Sequence, residues 1–480
     1  MAGVLLYGFP MKTPQFVFAM LLAFPLMSSA LTKAEQDLGC SPINGCSGLM
    51  AEHAAEDGQV AVISEKESLA LRLQAVANAK QSIEIQALVF TGDESGLMLA
   101  DLLRKKKAEG VKIRIIVDGV SNAAQKTQWM YYELMNAGIE IEGYEPMWRQ
   151  WINELQLDMT MVNKRFHEKI FLVDADLPSG VAVVGGLNIA NEYFRVSNEG
   201  AKTWRDQDVV VRGEVLQDMK TVFARNFSYF KELKSLKPGL FNPDSWKAQF
   251  KKFHRWFGSL FTSKFEDHKV AANVRVQQYA SVQPQFEHAK MRFIQSRPRF
   301  EESYIYREYI NQINNAQSEV VIVNAYFIPG HDFTAAVRLA QARGVNVTIL
   351  TNSPETNDLP QLTYVGRQFY ELLYNGRLNM YEWQGQKYNE GTIHAKFAVF
   401  DRQRSIVGSY NLDPRSEKLN SESALVIDNA AIAERLLAKV ENEDLKKSEL
   451  ITEQRAKAFK TNDLETKFNS LLGMPLKDWL

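Results

Sequence analysis

The sequence predicts an α/β protein of two homologous lobes, each a mixed β-sheet flanked by helices, packed about a pseudo-two-fold axis around one active site. Three observations predict it. The same order of strand-like and helix-like segments occurs twice along the chain. The strand-like runs are apolar on both faces, as a sheet covered by helices on each side requires. A short polar motif recurs at the same place in each copy.

The repeat opens at 81–119, QSIEIQALVFTGDESGLMLADLLRKKKAEGVKIRIIVDG, and again at 317–353, QSEVVIVNAYFIPGHDFTAAVRLAQARGVNVTILTNS. Each stretch has a β-rich apolar run, a helical pattern stopped by Gly110 or Gly344, and a second β-rich run. That is a βαβ unit, twice. Next come YELMNAG ending at Gly138 and YELLYNG ending at Gly376, each read as a helix end with a glycine cap. FHEKIFLVD (166–174) then matches IHAKFAVFD (393–401), VAVVGGLN (181–188) matches SIVGSYN (405–411), and DQDVVVRG (206–213) matches ESALVIDN (422–429). These matches place the first lobe at 60–230 and the second at 300–445. The stretch 231–299 between them shows no repeat, and 446–480 reads as a charged helical tail.

At 480 residues and 45% hydrophobic content, the chain can bury large cores. Lys and Arg number 56 against 57 Asp and Glu, so no polycationic field suggests a nucleic-acid partner. The N-terminal 30 residues read as a signal peptide: Lys12, an apolar run from Phe16 to Met27, then Ser28-Ser29-Ala30. An uncleaved anchor is the rival reading. The expectation is an exported chain, periplasmic or secreted and peripherally membrane-associated. Residues 31–59 carry both cysteines, Cys40 and Cys46, close enough for a small disulfide loop in an exported protein. Lipid modification of Cys40 is the alternative.

The repeated motif is His167, Lys169, Asp174 and, in the second copy, His394, Lys396, Asp401. Residues i and i+2 of a strand share a face, so each histidine lies beside its lysine. Two copies in register are hard to explain as satisfied core histidines. If the lobes pack face to face, two imidazoles and two ammonium groups converge on one pocket, which suits a phosphodiester. One imidazole would attack phosphorus and the other would protonate the leaving alcohol. Lys169, Lys396, Asn188, Asn411 and Ser409 would hold the non-bridging oxygens. A carboxylate would aim each histidine, with Asp206 and Glu422 the candidates at the start of the following strand. Counting from the asparagine instead offers Glu199 in the first copy, but strand alignment favours Asp206. Asp174 and Asp401 complete the catalytic motif in sequence, yet they fall at strand ends and read as stabilising the turn or the lobe interface. No HExxH, Cys/His cluster or phosphate-binding glycine loop is present, so no metal or cofactor is expected.

With these paired motifs, and with VNAYFIPG, LTNSPETNDLP, GSYNLDPRSEKLNSES, GGLNIANEYF and WRDQDVVVRG, the chain resembles the phospholipase D superfamily, and bacterial cardiolipin synthases within it. The resemblance implies a phosphohistidine intermediate, a glycerophospholipid substrate, His167 as the nucleophile and His394 as the acid. The first copy departs from the pattern in having Gly186 where the second has Ser409, so one hydroxyl contact to phosphate is missing on that side or is supplied by backbone. The resemblance leaves open a secreted phospholipase D making phosphatidic acid, a nuclease of the same superfamily, and a non-catalytic membrane-binding module. In the linker, WKAQFKKFHRWFGSLFTSKF runs from Trp246 to Phe265, with aromatic residues at helical spacing and lysines between. It reads as an amphipathic helix that lies on an anionic lipid surface or packs between the lobes.

Overall fold

In the computed structural model, residues 55–118, 121–122, 124–144, 165–196, 202–236, 282–298, 302–461 and 463–473 are described. The predicted signal peptide, both cysteines and the 246–265 segment lie outside them.

The first lobe runs β1 (Glu56–Ile63), α1 (Glu65–Asn78), β2 (Ser82–Ala87), α2 (Glu94–Ala108), β3 (Lys112–Asp118), α3 (Gln125–Asn136), β4 (Glu140–Tyr144), β5 (Ile170–Val173), β6 (Val181–Gly185), β7 (Asp208–Gly213) and α4 (Val215–Leu236). The second runs β8 (Glu287–Ser296), α5 (Tyr304–Asn315), β9 (Glu319–Asn324), α6 (His331–Ala342), β10 (Asn346–Asn352), α7 (Pro360–Leu373), β11 (Leu378–Trp383), β12 (Lys396–Phe400), β13 (Arg404–Gly408), α8 (Pro414–Lys418), β14 (Glu422–Asp428) and α9 (Ala430–Lys439). After it come β15 (Ser448–Ile451), α10 (Glu453–Thr461) and α11 (Leu464–Gly473).

All these strands form one mixed sheet, ordered β15-β11-β10-β9-β12-β13-β14-β8-β1-β7-β6-β5-β2-β3-β4. The lobes therefore do not face one another as separate layers. They join edge to edge through the antiparallel pair β1–β8, with Gly58 opposite Ala289. Within each lobe β2–β3–β4 and β9–β10–β11 pair in parallel, and the remaining neighbours pair antiparallel. The pseudo-two-fold axis passes between β1 and β8.

Two boundaries read from the repeat move. The first lobe begins at Glu56, and the stretch 231–299 contains β8, which is the structural counterpart of β1. EDGQVAVI and EHAKMRFIQS share almost no residues, which is why the repeat is invisible there. The tail after 445 also adds β15 to the edge strand β11 before it turns helical.

Local signals set the elements. Ser64 and Glu67 form a reciprocal capping box at the start of α1. Gly110 and Gly344 adopt φ of 94° and 97° just past α2 and α6, a left-handed turn that glycine makes without strain. Valine- and isoleucine-rich strands such as β9 (EVVIVN) and β7 (DVVVRG) are buried on both faces over most of their length. Their side chains join continuous apolar clusters across the sheet.

Candidate active site

The motif histidines meet at the seam, on short runs just before β5 and on the residues leading into β12. Backbone hydrogen bonds cross between the halves there. The His167 amide donates to the Ser421 carbonyl (2.9 Å), and the Ser421 amide donates to the Arg165 carbonyl (2.9 Å). Symmetrically, the His394 amide donates to the Arg205 carbonyl (2.6 Å), and the Arg205 amide donates to the Thr392 carbonyl (2.9 Å). Each histidine is thus strapped to the segment that carries the other half's carboxylate.

The carboxylate pairing is consequently crossed. His167 Nδ1 lies 2.8 and 3.0 Å from the two oxygens of Glu422, and His394 Nδ1 lies 2.7 Å from Asp206 Oδ2. A same-half arrangement, which the order of the repeats suggests, does not occur. With Nδ1 held by a carboxylate, each ring keeps Nε2 for chemistry. Lys169 and Lys396 donate to the carbonyls of His167 (2.7 Å) and His394 (2.5 Å) two residues back.

Electrostatics distinguish the two dyads. Burial pushes His167 down to about 4, against the pull of Glu422. Burial, with Lys396 and Lys169 adding to it, holds His394 well below the ordinary imidazole range. Both rings are neutral at neutral pH. Burial also lowers Lys169 to about 7 and Lys396 to about 8. Burial acts to raise Glu422, but His167, Lys169 and Ser409 outweigh it and keep that carboxylate below its ordinary range. Asp206 has weaker support, and burial lifts it to about 6.

After His167 and Lys169, hydroxyls add to the difference. Ser409 Oγ donates to Glu422 Oε2 (2.5 Å) and Ser416 Oγ donates to Oε1 (2.7 Å). The sequence suggests Ser409 as a grip on phosphate, but its hydroxyl is committed to Glu422 and is fully buried. In the first half, Gly186 occupies the equivalent place because Asp206 fills the space. A Cβ there would lie 2.1 Å from Asp206 Oδ1. The glycine therefore makes room for the carboxylate, rather than marking a lost phosphate contact.

The Asn188 side chain is also engaged: it donates to the Tyr193 hydroxyl (2.9 Å) and accepts from the Val89 amide (3.1 Å). Asn411 is buried; its backbone N–H donates to Ser416 Oγ (3.2 Å), and its side-chain Oδ1 has no hydrogen-bond partner among the described residues.

Asp174 and Asp401 correct the catalytic assignment of the third motif residue. They sit at the far ends of the motif strands with φ of 51° and 52°. Asp174 accepts from the amides of Lys80, Gln81 and Ser82, and Asp401 from those of Gln317, Ser318 and Glu319. Each clamps the turn that leads from the first helix of its lobe into the next strand. Neither touches the histidines or the lobe interface.

Further residues surround the histidines. Around His394 stand Tyr193 and Trp204, each with ring centroid 5.2 Å away, and Tyr326 at 6.3 Å. Tyr326 donates to Asp358 (2.6 Å) and its ring lies 5.9 Å from Lys396 Nζ. The His167 end instead carries two arginines and the carboxylates that face them. Arg165 alternates with His167 and Lys169 along the chain, and its Nε lies 3.6 Å from Asp118. Arg415 from the other lobe feels both charges: burial and then Arg165 pull it down to about 10, against Asp118. The alternation R-x-H-x-K could have flagged Arg165; Tyr193 and Trp204 lie in the β6–β7 connection and Tyr326 just past β9, and only the fold brings their rings to His394.

Comparison with known proteins follows this geometry. The family model described as "Cardiolipin synthase, PLD-like domain" matches residues 73–226 and 309–443. A cardiolipin synthase of Clostridium perfringens (strain SM101 / Type A) is 27% identical over 361 residues, which is 75% of this chain and 64% of that protein. The major cardiolipin synthase of Bacillus subtilis (strain 168) is 28% identical over 396 residues, 81% of this chain and 70% of that protein. The chain thus spans less than two thirds of the Clostridium relative's length. The crystal structure of phosphatidylserine synthase from Haemophilus influenzae Rd KW20 shares the fold, with a TM-score of 0.59 at 17% identity over 88% of this chain and 95% of that one.

Proposed function

The chain belongs to the cardiolipin synthase, PLD-like domain family, and from that premise we propose that it is a phosphatidyltransferase. It moves a phosphatidyl group from one glycerophospholipid to the hydroxyl of another through a phosphohistidine. The observation that carries this reading is the pair of crossed histidine–carboxylate dyads with two buried lysines between them.

His167, neutral and aimed by the firmly ionised Glu422, attacks phosphorus through Nε2. The substrate phosphate brings negative charge against His394 and the lysines, so His394 takes up a proton at Nε2 on binding. That proton goes to the departing glycerol oxygen as the P–O bond breaks and the P–N bond forms. In the second half, the acceptor hydroxyl returns its proton to His394 while its oxygen attacks phosphorus and the P–N bond breaks. Lys169 and Lys396 stabilise the phosphoryl oxygens in both transition states.

Arg165 and Arg415 support a lipid acceptor over water, because a two-phosphate product such as cardiolipin carries a second anion that guanidinium groups can meet. The leader-like run from Phe16 to Met27 supports export, and the stretch from Trp246 to Phe265 supports contact with a lipid surface. Purified protein incubated with phosphatidylglycerol tests the reading. Cardiolipin and glycerol are the expected products. Phosphatidic acid alone assigns hydrolysis instead, and turnover by His394→Ala equal to the unaltered protein overturns the mechanism. The unaltered protein, quenched during turnover in alkaline denaturant where a P–N bond survives, should retain phosphate label from the donor lipid on His167.

A further inference from the structure

Helix α11 is amphipathic in the inverse sense. Its buried face is Thr466, Ser470 and Gly473, all small. Its outward face is Leu464, Phe468, Leu471 and Leu472, which are 80%, 64%, 71% and 53% exposed. The spacing i, i+4, i+7, i+8 places these four on one continuous stripe. The small inner face lets α11 sit tightly on α7: a Cβ on Gly473 would lie 2.7 Å from the Val365 side chain and 3.1 Å from the Gln361 carbonyl, and Tyr364 donates to Glu465 (2.6 Å). A helix is seldom held to a protein by threonine and serine while four large apolar side chains face out.

The orientation connects this stripe to the site. Thr466 is beside Arg367, and Gly473 is beside Gln361, so the C-terminal end of α11 lies over the first turn of α7. That turn follows Asp358, which accepts from Tyr326, whose ring stands beside Lys396 and His394. Leu471 and Leu472 are therefore the outward residues nearest the aromatic end of the cleft.

We propose that the outward face of α11 is a bilayer-docking surface, which inserts into the acyl region beside the cleft and presents lipid headgroups to the His394 end. This rests on the reading that the substrate is a membrane lipid. At ordinary side-chain areas the stripe exposes about 500 Å², short of the about 800 Å² each partner buries in a stable protein interface. An apolar helix face of this size suits a lipid interface, where no complementary protein surface is needed.

The test uses the full chain with vesicles of phosphatidylethanolamine and phosphatidylglycerol. In the variant L464Q/F468Q/L471Q/L472Q, vesicle partitioning in flotation is expected to fall at least about tenfold, while turnover of a short-chain, monomeric phosphatidylglycerol is unchanged. In Phe468→Trp, the added indole emission is expected to be solvent-exposed without vesicles, and to shift blue and be quenched by brominated acyl chains with them. Flotation of the quadruple variant equal to that of the unaltered protein overturns the proposal. So does an indole emission in Phe468→Trp that is already buried without vesicles, or a dimer that the quadruple variant dissociates, since either assigns the stripe to protein. Loss of the catalytic reading would instead abolish short-chain turnover in both proteins and leave their flotation difference intact.

Discussion

Replacing Ser409 with alanine separates two accounts of the site. If its hydroxyl held phosphate, the variant would bind substrate less well. In the structure the hydroxyl donates to Glu422 at 2.5 Å and accepts from the Ser423 amide at 3.0 Å. Removing it takes one of two serine donors from a fully buried carboxylate whose remaining partners are Ser416 and His167. A hydrogen bond to a charged acceptor is worth about 1.5–3 kcal/mol. Felt fully where His167 gains positive character, that lowers kcat about 10- to 150-fold. The sign of the pH effect follows. Glu422 is held below the ordinary carboxylate range partly by Ser409, so the variant's carboxyl titrates higher, and the acidic limb of kcat/KM moves to higher pH. The assay is phosphatidyl transfer across pH, with kcat and KM resolved. A raised KM with kcat intact and the acidic limb unmoved would refute the positioning role.

Other expectations test the remaining parts. Gly186→Ala forces a Cβ to within 2.1 Å of Asp206 Oδ1, so turnover should fall at least about a hundredfold from misplacement of His394, with a native circular dichroism spectrum; near-normal activity would contradict the packing. With burial lowering Lys169 to about 7 and Lys396 to about 8, kcat/KM should decline as pH rises through that window and the ammonium groups lose protons. The decline should lie higher in kcat, because bound phosphate favours the charged forms. Asp174→Ala and Asp401→Ala should each cost about 1–3 kcal/mol of stability by freeing clamped amides, read as a lower Tm, while kcat of the folded protein is kept. Lost kcat at unchanged Tm would return these aspartates to the active site.

The repeat makes much of this legible. Periodicity, helix-stopping glycines and the doubled HxK pattern bring the two lobes and the four central side chains together on paper. Asp206 and Glu422 are also identifiable, as carboxylates opening equivalent strands. Their crossed partners are not, because pairing is decided by the Phe166–Ser421 and Arg205–Ile393 bridges, which join residues from opposite halves of the chain. Ser409 misleads for a related reason. A hydroxyl near a phosphate motif can face the phosphate or the carboxylate behind the histidine, and only the seam geometry chooses. β8 escapes notice because an interior strand needs apolarity and length, not its counterpart's sequence, to pair with β1. Trp204, Tyr193 and Tyr326 share no spacing rule, since the first two reach His394 from the β6–β7 connection and Tyr326 from just past β9.

The crossed dyads also govern when the chain becomes dangerous. A ribosome releases the first half complete with His167, Lys169 and Asp206, but Glu422 is still unmade and His394 is absent. The nascent first lobe holds a histidine with no carboxylate to aim it and no acid to free a leaving group. On the proposed mechanism, phosphodiester turnover therefore begins only when β14 closes against β8 and β8 against β1.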